Sequence, residues 1–174
     1  MDHALSSYEK IAESIPVKIH QLINQNQFDD LCGIPMNRIC VTFFLPHILD
    51  TGASGRNEYI NTISEIAKNF RTTMTFIWVE GGIQTNLENI IDLAPMYPSL
   101  AIFHMNKNIY SINRLSWNDK NINNFLKNLL SGSSTTGLVS LPSIPSIIKD
   151  IEWDGKDGVL EEESFSLSDI MDDE

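Results

Sequence analysis

Apolar residues recur along the chain at spacings that predict alternating strands and helices. Two nearly continuous apolar runs, Ile39–Leu45 and residues 74–79, are rich in β-forming residues and predict central strands that are covered on both faces. The segment between them predicts an amphipathic helix, because one helical face collects its apolar residues: Tyr59, Ile60, Ile63, Ile66, Ala67 and Phe70.

The next segments predict a short helix, a hairpin and a final helix. Thr85 and Glu88 fit a capping box, in which the Thr85 hydroxyl accepts a backbone hydrogen bond and Glu88 reaches back to the helix start. Residues 100–103 and 109–115 predict two strands joined by a polar connection at 106–108. The final helix ends at Gly132 and carries Ile122, Phe125, Leu126, Leu129 and Leu130 on one face.

The N-terminal part contributes one strand and one short helix to this pattern. Residues 17–23 predict the strand, and Phe28, Leu31 and Cys32 mark the helix. An earlier short helical face, formed by Tyr8, Ile11, Ala12 and Ile15, is stopped by Pro16. Early alternation followed by a hairpin predicts an α/β fold, with a mixed central sheet and helices on both faces.

The amino-acid composition changes after Gly132. Residues 133–174 begin with small polar residues and prolines and then become acidic, so we expect a disordered or extended acidic tail. Residues 1–149 hold 11 Lys+Arg against 12 Asp+Glu (net −1), whereas residues 150–174 hold one Lys against 11 acids (net −10). The predicted organisation is a linker or short helix at 1–15, one domain at 16–132 and a tail at 133–174.

Composition excludes several classes of protein. A chain of 174 residues with 42% hydrophobic content can bury one core. We expect no membrane association, because no apolar run approaches the ~18 residues that a membrane-spanning helix needs. Nor do we expect a nucleic-acid partner, because the acidic tail repels phosphate and the body has no basic cluster. The N-terminus has no signal-peptide pattern.

Asp50-Thr51-Gly52 directly follows the first central strand, and this tripeptide is typical of aspartic proteases. Such an enzyme needs two carboxylates that share a proton, so this chain would have to act as a homodimer. However, a protease continues from this loop into a strand, whereas residues 59–70 predict a helix. The sequence therefore favours a turn or capping role for Asp50 and leaves the protease as a remote alternative.

Cys32 and Cys40 are the only cysteines in the chain. In an oxidising compartment they could form a structural disulfide worth roughly 2–3 kcal/mol in the chain-entropy model. The alternative is a pair of buried, reduced cysteines. Thiol–disulfide exchange through the pair is the least favoured interpretation of the spacing, because a redox couple would normally be Cys-x-x-Cys.

No residues show the spacing of a strong metal site, and no cofactor is expected. The histidines are scattered along the chain. The tail is rich in carboxylate oxygen but lacks an EF-hand pattern, so weak Ca²⁺ association and a merely solvating tail both stay open. The calcium candidates are Asp154, Asp157, Glu161, Glu162 and Glu163.

The predicted order of elements resembles that of thioredoxin, and Pro98 stands where thioredoxin-like domains place a cis-proline. More specifically, four segments resemble the C-terminal, non-catalytic b domain of three-domain (a, a′, b) endoplasmic-reticulum protein disulfide isomerases: "CVTFFLPHILDTGASGRNEY", "FIWVEGG", "YPSLAI" and "WDGKDG". This resemblance implies a thioredoxin-like fold. It also implies that residues 47–56 fill the place of a Cys-x-x-Cys motif without a thiol, where a helix dipole would stabilise a thiolate.

The resemblance further implies that this chain is not itself an enzyme. Its expected function is to bind unfolded or partly folded proteins, or a luminal chaperone, beside the catalytic a-type domains of the same protein. The expected location is the endoplasmic-reticulum lumen, although the chain ends at Asp172-Asp173-Glu174 without a retrieval tetrapeptide. Residues 46–56 and the turn near Pro98 are the candidate binding surface by position in the sequence.

Overall fold

A computed structural model describes residues 15–132 and 137–160. Its centre is a six-stranded sheet with the order β1-β3-β2-β4-β5-β6. The first three strands run parallel, and β4, β5 and β6 are each antiparallel to the preceding neighbour in the sheet. The strands are β1 (His20–Gln21), β2 (Ile39–Leu45), β3 (Met74–Glu80), β4 (Ser99–His104), β5 (Ile109–Ile112) and β6 (Val139–Ser140). The predicted mixed sheet is confirmed.

Helices cover both faces of the sheet, as predicted. They are α1 (Gln25–Cys32), α2 (Ile48–Ala67), α3 (Thr85–Ile90) and α4 (Asp119–Ser131), with short 3-10 turns at Ile34–Met36 and Lys68–Phe70. One apolar cluster packs α1 and α3 against the sheet, and a second packs α2 and α4 against the other face. Successive residues of β2 alternate between the two clusters, because successive side chains of a strand point to opposite faces.

Two helices begin with the same kind of cap. The Asn24 side chain accepts a hydrogen bond from Gln27 N (2.8 Å), and the Asn118 side chain accepts one from Asn121 N (2.8 Å). Each amide oxygen satisfies a backbone donor that has no partner inside the helix. Helix α4 ends at Gly132, whose φ of +67° lies in the left-handed region, so the predicted end of this helix is confirmed.

Helix starts differ most from the sequence prediction. Helix α2 already begins at Ile48, within the segment that was predicted as a loop. The cap of α3 is Gln84, and Thr85 is the first helical residue, so the predicted capping box is wrong. Glu88 does reach back, but its carboxylate accepts from Gly82 N (2.9 Å). The sequence pattern correctly identified Glu88 as an acceptor, but the donor is Gly82 N of the preceding turn and not the N-cap residue.

Strand β1 is shorter than the predicted strand at 17–23, because it lies at the edge of the sheet. Its outer side is covered by the C-terminal segment, where Asp150 N donates to Ile23 O (2.8 Å). Strand β5 ends at Ile112 rather than 115, and the Asn113 side chain then accepts from Leu115 N (3.2 Å) in a local turn.

Beyond β6, residues 141–160 contain no helix or strand, yet they pack on the domain. Leu141, Pro145 and Ile147 are buried, although the sequence showed no apolar periodicity there. We call residues 145–158 the strap. The predicted helical face at Tyr8, Ile11 and Ala12 lies outside the described residues. Within the described part of the chain, no helix has the length and apolar character needed to span a membrane.

Candidate functional site

The start of helix α2 occupies the place that the resemblance assigned to a redox motif. His47 is the N-cap, and its Nδ1 accepts a hydrogen bond from Leu49 N (3.1 Å). The next backbone donor, Ile48 N, is bound by Glu80 Oε1 (2.9 Å), which comes from the end of β3. Asp50 lies in the first helical turn and not in a strand-flanked loop. The alternative of an aspartic protease is therefore wrong, since Asp50 belongs to a helix in a thioredoxin-like fold.

Helix α2 contains a break at Gly52, which has φ +64° and ψ 175°. A positive φ of this kind is accessible to glycine at little cost, because glycine has no Cβ. The helix resumes at Ala53, whose N–H donates to Asp157 Oδ1 of the strap (2.7 Å). The Asp-Thr-Gly tripeptide thus builds a turn that gives the helix a second exposed N–H, and a carboxylate from the C-terminal segment binds it.

A buried ion pair fixes this turn to the sheet. Arg56 is only 4% exposed and its Nη2 lies 2.7 Å from Glu80 Oε1. The same nitrogen donates to Pro46 O (3.3 Å). The guanidinium lies 5.2 Å from the ring centroids of both Trp78 and Trp153, which adds two cation–π contacts. Trp153 therefore attaches the C-terminal segment to the body of the domain.

Pro98 begins the approach to β4, and the Tyr97–Pro98 peptide bond is cis. The Tyr97 ring lies against Gly81, where a Cβ would be 2.4 Å from the ring, so only glycine fits there. The Tyr97 hydroxyl donates to the Glu88 carboxylate. Burial, followed by this hydrogen bond, raises the pKa of Tyr97 well above its usual value. The turn before Pro98 is therefore tied to α3.

Two open cavities meet at Trp117, and we call this surface the Trp117 face. The first has a volume of about 510 Å³ and lies between α2 and the start of α4, with Asp50, Glu58, Tyr59 and Asp119 in its lining. The second, of about 310 Å³, lies beside the cis-proline and is lined by apolar and polar residues, among them Met96, Pro98, Leu100, Ile112 and Leu115. The face therefore joins an acidic groove to an apolar one, and it includes both predicted candidate regions.

Cys32 and Cys40 form a disulfide that joins the end of α1 to β2, with a Cα–Cα distance of 5.5 Å. The two residues are 1% and 0% exposed and belong to the apolar cluster beneath α1 and α3. The pair therefore lies on the opposite face of the sheet from helix α2. Exchange with an external thiol requires this region to open, because the attacking group must reach a sulfur atom.

The tail carboxylates serve separate backbone donors in the described part of the chain. Asp154 Oδ1 accepts from Lys156 N (2.9 Å), and Asp157 Oδ1 accepts from Ala53 N (2.7 Å). Glu161, Glu162 and Glu163 lie outside the described residues. Among residues 15–132 and 137–160, no three His, Cys, Asp or Glu side chains are grouped to hold a metal ion. Calcium association stays a prediction.

Sequence reasoning missed the residues that organise this site. Glu80 and Arg56 are 24 positions apart and meet only because β3 and α2 are neighbours. Trp117 lines both cavities, between α2 and α4 on one side and beside Pro98 on the other. The signal available beforehand was an arginine on the helix that follows an apolar strand, and a glutamate at the end of the neighbouring strand.

Comparison with known proteins identifies relatives over most of the chain. Protein disulfide-isomerase A6 of Mus musculus is 35% identical over 158 residues, which are 89% of this chain and 36% of that protein. The Caenorhabditis elegans homologue is 34% identical over 162 residues, and protein disulfide-isomerase 2-3 of Arabidopsis thaliana is 32% identical over 159. This chain thus spans about a third of the length of each relative (36%, 36% and 35%). No protein-family model matches it.

Solved structures with a similar arrangement are thioredoxins or proteins that contain thioredoxin-like domains. Chloroplastic thioredoxin z aligns with 68% of this chain and 99% of its own, at 8% identity and a TM-score of 0.48. The oxidised thioredoxin of Plasmodium falciparum covers 64% of this chain and 98% of its own, at 16% identity and a TM-score of 0.46.

These findings correct one prediction and support another. The prediction that this chain is not an enzyme, which rested on the absence of Cys-x-x-Cys, is wrong: homology to protein disulfide-isomerases and the Cys32–Cys40 disulfide point to an oxidoreductase. The predicted relationship to protein disulfide isomerases is supported, but the comparisons do not show which domain of those proteins this chain matches. Over about 89% of its length, this thioredoxin-like chain is homologous to the protein disulfide-isomerase A6 proteins and corresponds to 36% of theirs.

Proposed function

We propose that this chain is the client-binding domain of a protein disulfide isomerase, corresponding to the b domain, and that it binds unfolded or partly folded proteins at the Trp117 face. The observation that carries the proposal is the exposed apolar surface around the second cavity. Met96 is 74% exposed and Leu115 is 60% exposed. Exposed apolar side chains beside a concave surface are typical of interaction sites, because burying them in a complex removes apolar area from water.

The rigid surroundings of the face suit it to this task. The turn before Pro98 is tied to Glu88 through Tyr97, and Trp117 packs edge-on against Phe43 (5.9 Å between ring centroids) and Tyr59 (6.2 Å). A binding surface held in position loses little conformational entropy when a client binds. Its exposed apolar residues can contact many sequences, which is what a binder of unfolded chains requires.

The proposed role links this binding to disulfide chemistry elsewhere in the protein. Homologous proteins are almost three times as long as the matched segment, and we propose that catalytic a-type domains stand beside this one in the native protein. A client held here would be presented to those domains at a raised effective concentration. We place the protein in the endoplasmic-reticulum lumen, where a luminal chaperone is a further candidate partner.

A titration with a permanently unfolded client tests the proposal. We expect addition of a cysteine-alkylated unfolded polypeptide to the ¹⁵N-labelled chain to shift the Trp117 indole signal and the amide signals of residues 50–62 and 96–100. Met96→Glu puts a charge into the apolar cavity and should weaken binding at least about fivefold. Ile144→Glu is the matched control, because Ile144 is 73% exposed but lines neither cavity. Equal weakening by both variants, or shifts confined to other residues, would contradict the proposal.

The second candidate function is thiol–disulfide exchange by this chain through Cys32 and Cys40, and the disulfide itself favours it. The couple would accept two electrons from a client dithiol, forming a mixed disulfide on the way and releasing both cysteines as thiols. Turbidity of insulin reduced by dithiothreitol tests the same exchange in the reverse direction, in which dithiothreitol reduces the pair and the pair passes two electrons to an insulin disulfide. Activity that is lost in Cys32→Ser but kept in Met96→Glu assigns the exchange to the pair. A rate equal to that of dithiothreitol alone removes this candidate and leaves the binding proposal untouched.

A further inference from the structure

The outer part of the strap, residues 151–158, is held by a backbone-directed contact. The Gln21 side-chain amide donates to Ile151 O (3.1 Å) and accepts from Trp153 N (2.7 Å). These are the carbonyl and N–H of residues i and i+2, the groups that an extended chain offers to a neighbouring strand. Gln21 belongs to edge strand β1, so its side-chain amide gives the outer strap two hydrogen bonds at the edge of the sheet. Such a contact recognises extended backbone of any sequence.

Two further contacts recognise side chains. The Trp153 indole lies edge-on to Trp78 (6.2 Å between ring centroids), and Arg56 lies over both rings. Four residues later, the Asp157 carboxylate accepts from Ala53 N (2.7 Å), where α2 resumes after Gly52. The first contact suits an aromatic ring and the second an anion. We call Gln21, Trp78, Arg56 and the Ala53 N–H the strap slot.

The inner part of the strap is attached quite differently. Ile147 is only 8% exposed, and the fully buried Gln84 amide both accepts from Ile148 N (2.8 Å) and donates to Ile148 O (2.7 Å). In the outer part, Ile151 is 87% exposed and the Asp157 residue is also exposed. Release of residues 151–158 therefore exposes Trp78 and Arg56, while the inner part of the strap stays attached through Ile147 and Gln84.

A cavity beside the strap slot continues past the Trp153 ring. This cavity of about 310 Å³ lies between the strap and the body, and its lining includes Lys18, His20, Ile60 and Trp78. A segment bound in place of the outer strap can therefore extend beyond the Trp153 position. Lys18 in this lining, together with Arg56 in the slot, favours an acidic segment over a basic one.

We propose that residues 151–158 are a ligand bound in cis, and that the strap slot binds in trans an extended acidic segment of another protein, with an aromatic residue four positions before a carboxylate. The strap defines this occupant, because its own backbone, indole and carboxylate show what the slot recognises. Any such segment competes with the tethered strap, so looser attachment of the strap raises the apparent affinity in trans. The slot is separate from the Trp117 face and does not depend on the client-binding proposal.

The test uses the full chain and a labelled peptide with the sequence of residues 151–158, IEWDGKDG, blocked at both ends. Fluorescence anisotropy measures its dissociation constant. Asp157→Ala removes an exposed side chain that holds the strap, and we expect about tenfold tighter peptide binding than in the wild type, since a hydrogen bond to a charged group is lost in cis only. Trp153→Ala empties the aromatic position and should act in the same direction.

Controls separate slot recognition from general electrostatics. Glu152→Ala removes the same charge from the strap at a residue that is exposed, and it should leave the affinity near that of the wild type. Replacing the peptide's tryptophan with alanine should abolish binding, because this change weakens the peptide and leaves the competing strap intact. If Asp157→Ala and Trp153→Ala keep the sheet amide spectrum but bind the peptide no more tightly than the wild type, or if Glu152→Ala tightens binding equally, the strap is a fixed part of the fold and the proposal is wrong.

Discussion

The disulfide region and the helix-start region lie on opposite faces of the same sheet and show opposite chemistry. In the disulfide region, Cys32 and Cys40 are buried among apolar side chains beneath α1 and α3. In the helix-start region, the backbone donors Ile48 N and Ala53 N bind the carboxylates of Glu80 and Asp157. The N–H groups that would stabilise an anion and the sulfur atoms that could become one are therefore separated by the sheet.

The two regions favour different chemical groups. A thiolate is favoured beside a helix N-terminus or a cation, and an apolar environment disfavours it. The disulfide region therefore disfavours a thiolate, whereas the helix-start region stabilises carboxylates through hydrogen bonds and Arg56. The following predictions, from the largest expected effect to the smallest, test whether the two regions behave as independently as their positions suggest.

Arg56→Ala should have the largest effect, a loss of about 3 kcal/mol in the free energy of unfolding, because Glu80, which is only 15% exposed, loses its cationic partner. Urea denaturation followed by tryptophan fluorescence measures this loss. Lys68→Ala is the control: its pair with Glu65 is at the surface, where the carboxylate is 71% exposed, so we expect less than about 1 kcal/mol. Similar losses in both variants would show that the buried pair contributes no more than a surface one.

Removing the disulfide should have the next largest effect. The double variant Cys32→Ala, Cys40→Ala should lose about 2.5 kcal/mol, because the unfolded chain gains the entropy of a short loop. Urea denaturation of the wild type in dithiothreitol provides an independent measure and should give a similar loss. Combined with Arg56→Ala, the loss should be additive within about 0.5 kcal/mol if the two regions are independent. A clear departure from additivity would break the comparison.

The helix caps distinguish local from global opening of the disulfide region. Asn24→Ala and Asn118→Ala each remove a side-chain cap, and each should cost about 1 kcal/mol of stability. Only Asn24 caps α1, the helix that ends at Cys32. We therefore expect Asn24→Ala to accelerate reduction by dithiothreitol, measured by maleimide labelling, and Asn118→Ala to leave the rate unchanged. Equal acceleration would mean that reduction requires global unfolding.

The smallest expected effect is a pH dependence from His104, at the end of β4. Burial, helped by nearby Lys107, lowers the pKa of His104 below 6.5. The unfolded chain therefore takes up the proton first, so this contribution to stability is full above about pH 6.5 and falls as the pH drops towards the folded-state pKa. We expect His104→Gln to reduce the decrease in melting temperature between pH 7 and 5.5. At pH 7.5 its pH slope should match that of the wild type, and an unchanged slope at lower pH would contradict the prediction.

Periodicity was sufficient for the framework of the fold. The apolar runs of β2 and β3, the stripe of α2 from Tyr59 onward and the stop of α4 at Gly132 are local patterns, and each has the predicted structure. The starts of α2 and α3 were less predictable, because their N–H groups are bound by residues that come from elsewhere or from an adjacent turn. Glu80 binds Ile48 N across the end of the sheet, and no spacing in the sequence indicates that contact.

The acidic C-terminal segment shows the same limit. Its composition predicted a disordered or extended tail, and residues 141–160 have neither helix nor strand but pack on the domain. Composition could not show that Gln21 and Gln84 bind the backbone of this segment, because a glutamine has no pattern that reveals its distant partner. Equally, Asp157 was a calcium candidate by composition, while the structure places it on Ala53 N.

By itself, the sequence determined the central strands and the apolar faces of the main helices, because burial imposes a period on each of these elements; it did not reveal that Leu141 and Ile147 are buried. Tertiary structure alone decided that Arg56 contacts two tryptophans, that Trp117 joins two cavities and that the strap covers the edge of β1. These contacts join residues that are far apart in the chain. Their geometry exists only after the sheet has assembled, and local propensity carries no information about it.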